Sequence, residues 1–149
     1  MLPEPVYRGF FKFTIVRNPW DLQVSSWHHI RREKPHVLAG IDTFADFLRY
    51  KFDPERDYDY MLDISAERQH EYLVDLNGEV IVDYIGRYER LGDDFAEICQ
   101  RIGIRQPELP HLRRATERED YRAYYTDELA ERVAEHYRRD IEILGYTFD

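Results

Sequence analysis

The sequence has a single cysteine among its 149 residues. One cysteine cannot form a disulfide within the chain, and it cannot supply a zinc site built on several thiolates. Cys99 lies among apolar residues at helical spacing, which predicts a small buried side chain, with a reactive thiol as the alternative.

Long apolar runs are also missing. No segment approaches the roughly 20 apolar residues that a membrane-spanning helix needs. The amino-terminal stretch MLPEPVYRGFF contains two prolines and lacks the apolar core of a signal peptide. We therefore expect a soluble, cytoplasmic protein that has no membrane partner.

Positive charge is scarce, because 21 Lys and Arg stand against 30 Asp and Glu, for a formal net charge of −9. A field of this sign repels phosphate backbones and anionic lipids, so it argues against a general nucleic-acid binder. It leaves room for one local basic pocket. A chain of this length can bury a core, and we expect residues 1–149 to form a single domain.

Apolar periodicity divides the first half of the chain into a strand and two helices. Residues 10–16 are dense in aromatic and β-branched side chains, which predicts a buried strand of the kind found in parallel sheets. Helical spacing predicts a helix from Trp20 to about Glu33, and a second helix after Asp42 or Thr43. Residues 51–63 show no clean periodicity, so we expect an irregular connection there.

The second half begins with the clearest local signal in the sequence. Two β-rich runs flank Asn77-Gly78, the pair that best fits a type I′ hairpin turn. A helix that ends at Gly103 follows, and a last helix runs from an N-cap at Thr126 to Gly145. The order strand, helix, helix, hairpin, helix, helix indicates an α/β fold.

The junction VRNPWDLQVSSW (16–27) places a charge where the strand ends and a helix begins. A helix N-terminus offers backbone N–H groups and a partial positive charge, which favour an anion. Arg17 adds a guanidinium suited to phosphate, and Ser25 falls on the polar face of the helix with His28. An anion held by Arg17 and Ser25 would lie against the first two turns. The alternative is a solvated arginine and a surface hydroxyl.

The segment FTIVRNPWDLQVSSW (13–27) resembles the 3′-phosphate-binding motif of sulfotransferases that use 3′-phosphoadenosine 5′-phosphosulfate (PAPS). In that family an arginine in an R-[ND]-P context ends a strand, and a serine about two helical turns later joins it on the 3′-phosphate. Arg17 and Ser25 match those positions. Residues 82–104 and 109–148 resemble further segments of carbohydrate-type members, of bacterial appearance, in the same order.

This resemblance implies a partial P-loop-NTPase-like sulfotransferase fold, with a short sheet flanked by helices and the hairpin around Asn77-Gly78. Tyr88 aligns with an aromatic residue near the adenine, the alternative being a strand aromatic in the core. Gln69 falls where members often keep a glutamine near the active cleft, the alternative being a capping or surface role. Arg113 and Arg114 are expected to reach the cofactor's phosphates or the substrate, or else to form a solvated pair.

The sequence lacks the other half of a PAPS site. In the family, a glycine-rich loop with a lysine holds the 5′-phosphosulfate, and a general base, usually His or Glu, activates the acceptor; both precede the arginine motif. Here 16 residues precede Arg17, they contain no such loop, and Lys12 lies within the strand run. His28 is the candidate base within this sequence. His28 and His29 point about 100° apart, so we assign them no metal.

Three explanations fit this pattern. The chain is a fragment of a longer enzyme, or a partner or second copy completes its site and covers an open sheet edge, or it is a binding module without catalysis. The leading hypothesis is transfer of a sulfuryl group from PAPS to a hydroxyl of a carbohydrate-like acceptor. The alternative is a non-catalytic module that binds a nucleotide, an anion or a partner chain, and a histidine-based metalloenzyme is a third idea.

Overall fold

The computed structural model describes residues 3–109 and 119–149. These residues form two compact units, each built from two stretches of the chain. Residues 3–17 and 69–109 form the first, which we call the sheet unit, and residues 18–68 and 119–149 form the second, which we call the helical unit. The single domain expected over residues 1–149 stays a prediction.

The α/β class predicted from the sequence is confirmed, because a short parallel sheet is flanked by helices. In chain order, the helices and strands are α1 (Glu4–Gly9), β1 (Phe13–Val16), α2 (Pro19–Glu33), α3 (Phe44–Lys51), α4 (Tyr60–Ile64), β2 (Tyr84–Arg87), α5 (Leu91–Ile102), α6 (Asp127–His136) and α7 (Arg138–Leu144). Short turns of 3-10 helix lie at Pro35–Leu38, Gln69–Tyr72, Tyr88–Arg90 and Tyr121–Tyr124.

The sheet of the sheet unit pairs β1 with β2 in parallel, with Phe13 opposite Tyr84 and Val16 opposite Arg87. The parallel pairing was predicted, but the prediction of a strand buried throughout was wrong. Val16 is buried, whereas Phe13 is 45% and Ile15 is 36% exposed. Successive residues of a strand point to opposite faces, so only one face of β1 is covered, whereas the prediction assumed layers on both faces.

A hairpin turn forms around Asn77-Gly78 as predicted, but its turn type differs. Val74 pairs with Val80 in an isolated antiparallel bridge. The Gly78 N–H donates to the Asp75 carbonyl, so Leu76 and Asn77 are the central residues, and Gly78 follows with a φ of 82°. A type I′ turn would place Asn77 and Gly78 at the centre. The Asp75 carboxylate accepts the backbone N–H groups of Asn77 and Glu79, which favours the observed turn.

The helical unit has an apolar core centred on α2 and α3. The stripe predicted on α2 is confirmed: Trp20, Val24, Trp27 and Ile30 are all buried. They pack with α3, whose Phe47 ring centre lies 5.2 Å from that of Trp27. The helix predicted after Asp42 or Thr43 is also observed as α3, and the Thr43 hydroxyl caps it by accepting the N–H of Asp46. No helix within residues 3–109 and 119–149 is long and apolar enough to cross a membrane.

Two predictions about helices were wrong. The last helix was predicted to be continuous to Gly145, but it is divided at Tyr137 into α6 and α7. Tyr137 is fully buried and its hydroxyl accepts a hydrogen bond from the Gln23 amide at 2.9 Å. The backbone of Tyr137 (φ −102°, ψ 21°) lies outside the helical conformation, and this residue separates the two helices. The connection predicted at residues 51–63 contains the start of α4, capped by Asp59.

Candidate functional site

The two strands of the sheet unit end side by side, and Arg17 and Tyr88 are the residues that follow them. Because Val16 lies opposite Arg87 in a parallel pair, both carboxyl ends lie at one edge of the sheet. In open α/β sheets, ligands bind at this edge. The guanidinium carbon of Arg17 lies 4.0 Å from the centre of the Tyr88 ring, and Tyr88 is 48% exposed. The pair therefore presents a cation and an aromatic ring together, and Tyr88 is not a core residue.

The backbone of Arg17 is held by the side chain of Gln69. The Arg17 N–H donates to Gln69 Oε1 at 2.8 Å, and Gln69 Nε2 donates to the Arg17 carbonyl at 2.8 Å. Both groups of one side-chain amide are thus paired with both backbone groups of one residue. The prediction that Gln69 contacts the cofactor stays a prediction, and the bonds observed for it are directed to Arg17.

The segment that carries Tyr88 is held by a carboxylate, that of Asp94 on α5. This side chain is buried, and it accepts the backbone N–H of Arg87 at 2.5 Å and the Tyr84 hydroxyl at 2.9 Å. The Arg90 guanidinium also donates to it, at 2.9 Å. The bond from Arg87, followed by the other two partners, lowers the pKa of Asp94 below its usual value, although burial opposes the shift. Asp94 is therefore an anion that fixes the turn carrying Tyr88.

The N-terminus of α2 does not offer the backbone N–H groups that we expected for an anion. The Asn18 side-chain oxygen accepts the N–H groups of Trp20 and Asp21, and the Asn18 carbonyl accepts that of Leu22. Pro19 has no N–H. The first-turn amides are thus occupied by the cap, and the expectation was wrong because it took Asn18 only as the end of the strand. An anion at this junction therefore cannot use these three first-turn amides.

Ser25 and His28 both lie on α2, in the helical unit. Ser25 is half-buried and lies in the second turn of the helix. His28 Nε2 lies 2.9 Å from the Tyr124 hydroxyl, and their ring centres are 5.5 Å apart. Burial, followed by the charges of Arg31 and Arg32, lowers the pKa of His28. The neutral imidazole favoured by this shift is the form that a base requires, and the assignment of His28 as a base stays a prediction.

Lys12 is engaged in contacts of its own. Its ammonium lies 2.9 Å from an Asp83 carboxylate oxygen and donates to the Phe10 carbonyl at 3.0 Å. The Lys12 side chain thus links the start of β1 to Asp83, the residue before β2, by an ion pair. The predictions for Arg113 and Arg114 lie outside the described residues.

The helical unit contains two cavities that share Phe52 and His136 as walls. One has a volume of about 590 Å³ and is lined mainly by charged side chains of α6. The other, of about 410 Å³, has Tyr58 on its wall, and Tyr58 is 76% exposed. Over residues 3–109 and 119–149, no group of three or more His, Cys, Asp or Glu residues is placed to hold a metal ion.

Comparison with known proteins assigns the chain to a family. The model of the sulfotransferase family matches residues 2–147, which is nearly the whole chain. The chain belongs to the sulfotransferase family. This membership supports a sulfotransferase-like function. The chain is also similar to an uncharacterized protein of Archaeoglobus fulgidus, with 32% identity over 110 residues that cover 68% of this chain and 74% of that protein. No solved structure matches the chain.

Sequence reasoning missed the two side chains that hold the backbone of Arg17 and Arg87. Asp94 was seen only as part of a family-like segment, and Gln69 only as a residue near a cleft. A buried aspartate among the apolar positions of α5 is one signal that could have pointed to Asp94, because a buried carboxylate needs hydrogen-bond donors. The Gln69 contact joins residues 52 positions apart, and no local pattern reports it.

Proposed function

We propose that the chain binds the 3′-phosphoadenosine part of PAPS at the edge of the sheet formed by Arg17 and Tyr88. Arg17 supplies a positive charge and a forked donor for the 3′-phosphate. Tyr88 supplies an aromatic surface beside it for the adenine. The observation that carries the proposal is the 4.0 Å stack of Arg17 on a half-exposed Tyr88 where two parallel strands end. The family resemblance adds Ser25 as a second ligand of the phosphate, and Arg113 and Arg114 as further candidates.

The proposed reaction is transfer of the sulfuryl group from PAPS to a hydroxyl of a carbohydrate-like acceptor. Family membership supports the transfer. For the acceptor, support comes from Phe52 and Tyr58, which line the 410 Å³ cavity and suit stacking on sugar rings. His28, with its lowered pKa, is the proposed base.

The 5′-phosphosulfate fits the described residues less well than the 3′-phosphate. Family members hold it with a lysine, and Lys12 is already bound to Asp83 and to the Phe10 carbonyl. This engagement favours a second candidate function, a module that binds 3′-phosphoadenosine nucleotides without transferring the sulfuryl group. PAP, the desulfated product, would bind in both cases.

Thermal unfolding in the presence of PAP tests the proposed site. We expect PAP to raise the melting temperature of the wild type and to lose this effect in Arg17→Ala. Arg101→Ala is the matched control, because Arg101 also stacks on a tyrosine of the sheet unit, at 4.7 Å from the Tyr84 ring, but lies on α5. A wild type that millimolar PAP does not stabilise, or an Arg17→Ala variant stabilised equally, would refute the site.

A transfer assay separates the two functions. With labelled PAPS and a panel of oligosaccharides, the transferase hypothesis predicts a labelled sugar product that Arg17→Ala abolishes. Binding of PAP without a product in any of the acceptors supports the non-catalytic module. Ser25→Ala in the same binding assay tests the second ligand, and it is expected to weaken PAP binding.

A further inference from the structure

We propose that Gln69 is a positioning residue for Arg17, acting through the backbone as a substitute for a neighbouring strand. The inference rests on the proposed function, since it names how the phosphate-binding arginine is fixed. Gln69 itself need not touch the nucleotide. Its two bonds to Arg17, each 2.8 Å long, involve both the oxygen and the nitrogen of the side-chain amide.

The register of the sheet shows why Arg17 needs such a partner. In a parallel pair, the backbone groups of alternate residues point toward the neighbouring strand. The Lys12 carbonyl accepts the N–H of Tyr84, and Val16 lies opposite Arg87. This alternation directs the backbone groups of Arg17 to the side of β1 that faces away from β2. At that position, the Gln69 amide donates and accepts as a peptide group of a third strand would.

The chemistry of the contact is specific for a primary amide. Pairing with both an N–H and a C=O requires an acceptor and a donor held side by side, and Asn and Gln are the side chains that carry an oxygen acceptor and an N–H donor on one carbon. A carboxylate would accept from the Arg17 N–H but repel its carbonyl oxygen. Methionine has nearly the shape of glutamine and makes neither bond, which makes Gln69→Met the informative substitution.

Fixing the backbone of Arg17 fixes the point from which its side chain extends, and the stack on Tyr88 then places the guanidinium. The other member of the stack, Tyr88, follows Arg87, whose N–H is held by Asp94. Two separate side chains thus hold the stacked pair by hydrogen bonds to the backbone. Gln69 binds the backbone of Arg17, and Asp94 binds the backbone of Arg87, which precedes Tyr88. Because these bonds set the geometry of Arg17 and Tyr88 before the ligand binds, less conformational entropy is lost on binding.

The first test measures, without nucleotide, the hydrogen bond between the Arg17 N–H and Gln69. Amide hydrogen exchange of Arg17, followed by NMR, should be at least about tenfold faster in Gln69→Met than in the wild type, since the N–H loses its acceptor. Gln100→Met is the matched control, because Gln100 is an exposed glutamine on α5 of the same unit. Unchanged exchange at Arg17 in Gln69→Met would overturn the positioning role, whether or not PAP binds.

The second test is a double-mutant cycle on PAP affinity with Arg17→Ala, Gln69→Met and the double variant. We expect Gln69→Met alone to weaken PAP binding by about tenfold, the loss typical of a displaced charge-assisted hydrogen bond. In the Arg17→Ala background it should cause no further loss, because Gln69 acts through Arg17. Gln69→Asn, which keeps the amide on a side chain shorter by one methylene, should show an intermediate loss and covers the case in which Gln69→Met does not fold.

The outcomes separate the two proposals. If losses from Gln69→Met and Arg17→Ala add, Gln69 contacts the nucleotide directly and the positioning role is overturned. Wild-type PAP affinity in Gln69→Met also overturns it. If the wild type does not bind PAP, the proposed function fails, and the exchange experiment alone decides whether Gln69 holds the backbone of Arg17.

Discussion

The helical unit and the sheet unit are stabilised in different ways. In the helical unit, large side chains such as Trp27, Phe47 and Tyr137 are at most 3% exposed. In the sheet unit, Phe13 is 45% exposed, and the ends of its strands are held by the polar side chains of two residues, Gln69 and Asp94. Burial of large aromatic rings dominates the first unit, whereas in the second, side-chain bonds to the backbone act beside a core of smaller apolar residues such as Leu73, Ile98 and Cys99. Substitutions should therefore act differently in the two units.

A pair of matched phenylalanine substitutions tests this difference and carries the largest expected effect. Phe47→Ala in the helical unit should lower the free energy of unfolding by about 3–5 kcal/mol, because the ring is fully buried. Phe13→Ala in the sheet unit should cost less than about 1 kcal/mol, since its ring is half-exposed. Urea unfolding measures both, and equal losses would remove the distinction between the units.

Two aspartates on α5 test whether side-chain hydrogen bonds stabilise the sheet unit, and the expected effect is smaller. Asp94→Ala leaves the Arg87 N–H and the Tyr84 hydroxyl without their acceptor, which should cost about 1–3 kcal/mol. Asp93 is an exposed neighbour in the same first turn, and Asp93→Ala should change stability by less than about 0.5 kcal/mol. Urea unfolding again measures both. A loss for Asp94→Ala no larger than for Asp93→Ala would show that Asp94 does not hold the sheet unit.

The sequence predicts the parts of the fold that depend on local pattern. Helices α2, α3 and α5 follow from apolar spacing and from local signals at their ends, such as Thr43 and the left-handed Gly103. The break falls at Tyr137, an apolar position that fits the helical spacing on both sides of it, so periodicity could not reveal it. The same limit applied to the burial of β1, which depends on how many layers pack against it.

The candidate site was also predicted only in part from the sequence. A charge at the end of a strand identified Arg17 as a possible anion ligand, but only the family resemblance linked it to Tyr88. The stack between the two depends on the parallel register of β1 and β2. The contacts of Gln69 and Asp94 that hold the backbone are tertiary, and no spacing pattern in the sequence predicts them. The Asn18 cap also excludes part of the anion site expected from the sequence. Its side-chain oxygen accepts the N–H groups of Trp20 and Asp21, which were expected to bind the anion.

The pH dependence of stability should be dominated at mildly acidic pH by the helical unit. Burial, opposed by the bond with the Ala66 carbonyl, lowers the pKa of His136 from 6.5. Below about pH 6.5 the unfolded chain therefore binds more protons than the folded protein, and stability falls as pH is lowered through the pKa of the folded state. His28 shifts in the same direction and contributes with the same sign.

His136→Gln is the variant that isolates this effect, the smallest of those expected. Glutamine retains a donor for the Ala66 carbonyl and does not titrate. The loss of stability from about pH 7 to about pH 5 should be shallower in the variant, by less than about 1.4 kcal/mol per pH unit, the limit for one proton. Urea unfolding over this range is the measurement, and an unchanged slope would exclude His136 as its source.

Calorimetric titration with PAP and with AMP asks whether the edge of the sheet at Arg17 and Tyr88 recognises a 3′-phosphate. AMP lacks only the 3′-phosphate of PAP. We expect PAP to bind the wild type at least about tenfold more tightly than AMP, Arg17→Ala to abolish the difference, and Arg101→Ala to retain it. Equal affinities of the wild type for PAP and AMP would show that this edge does not recognise the 3′-phosphate.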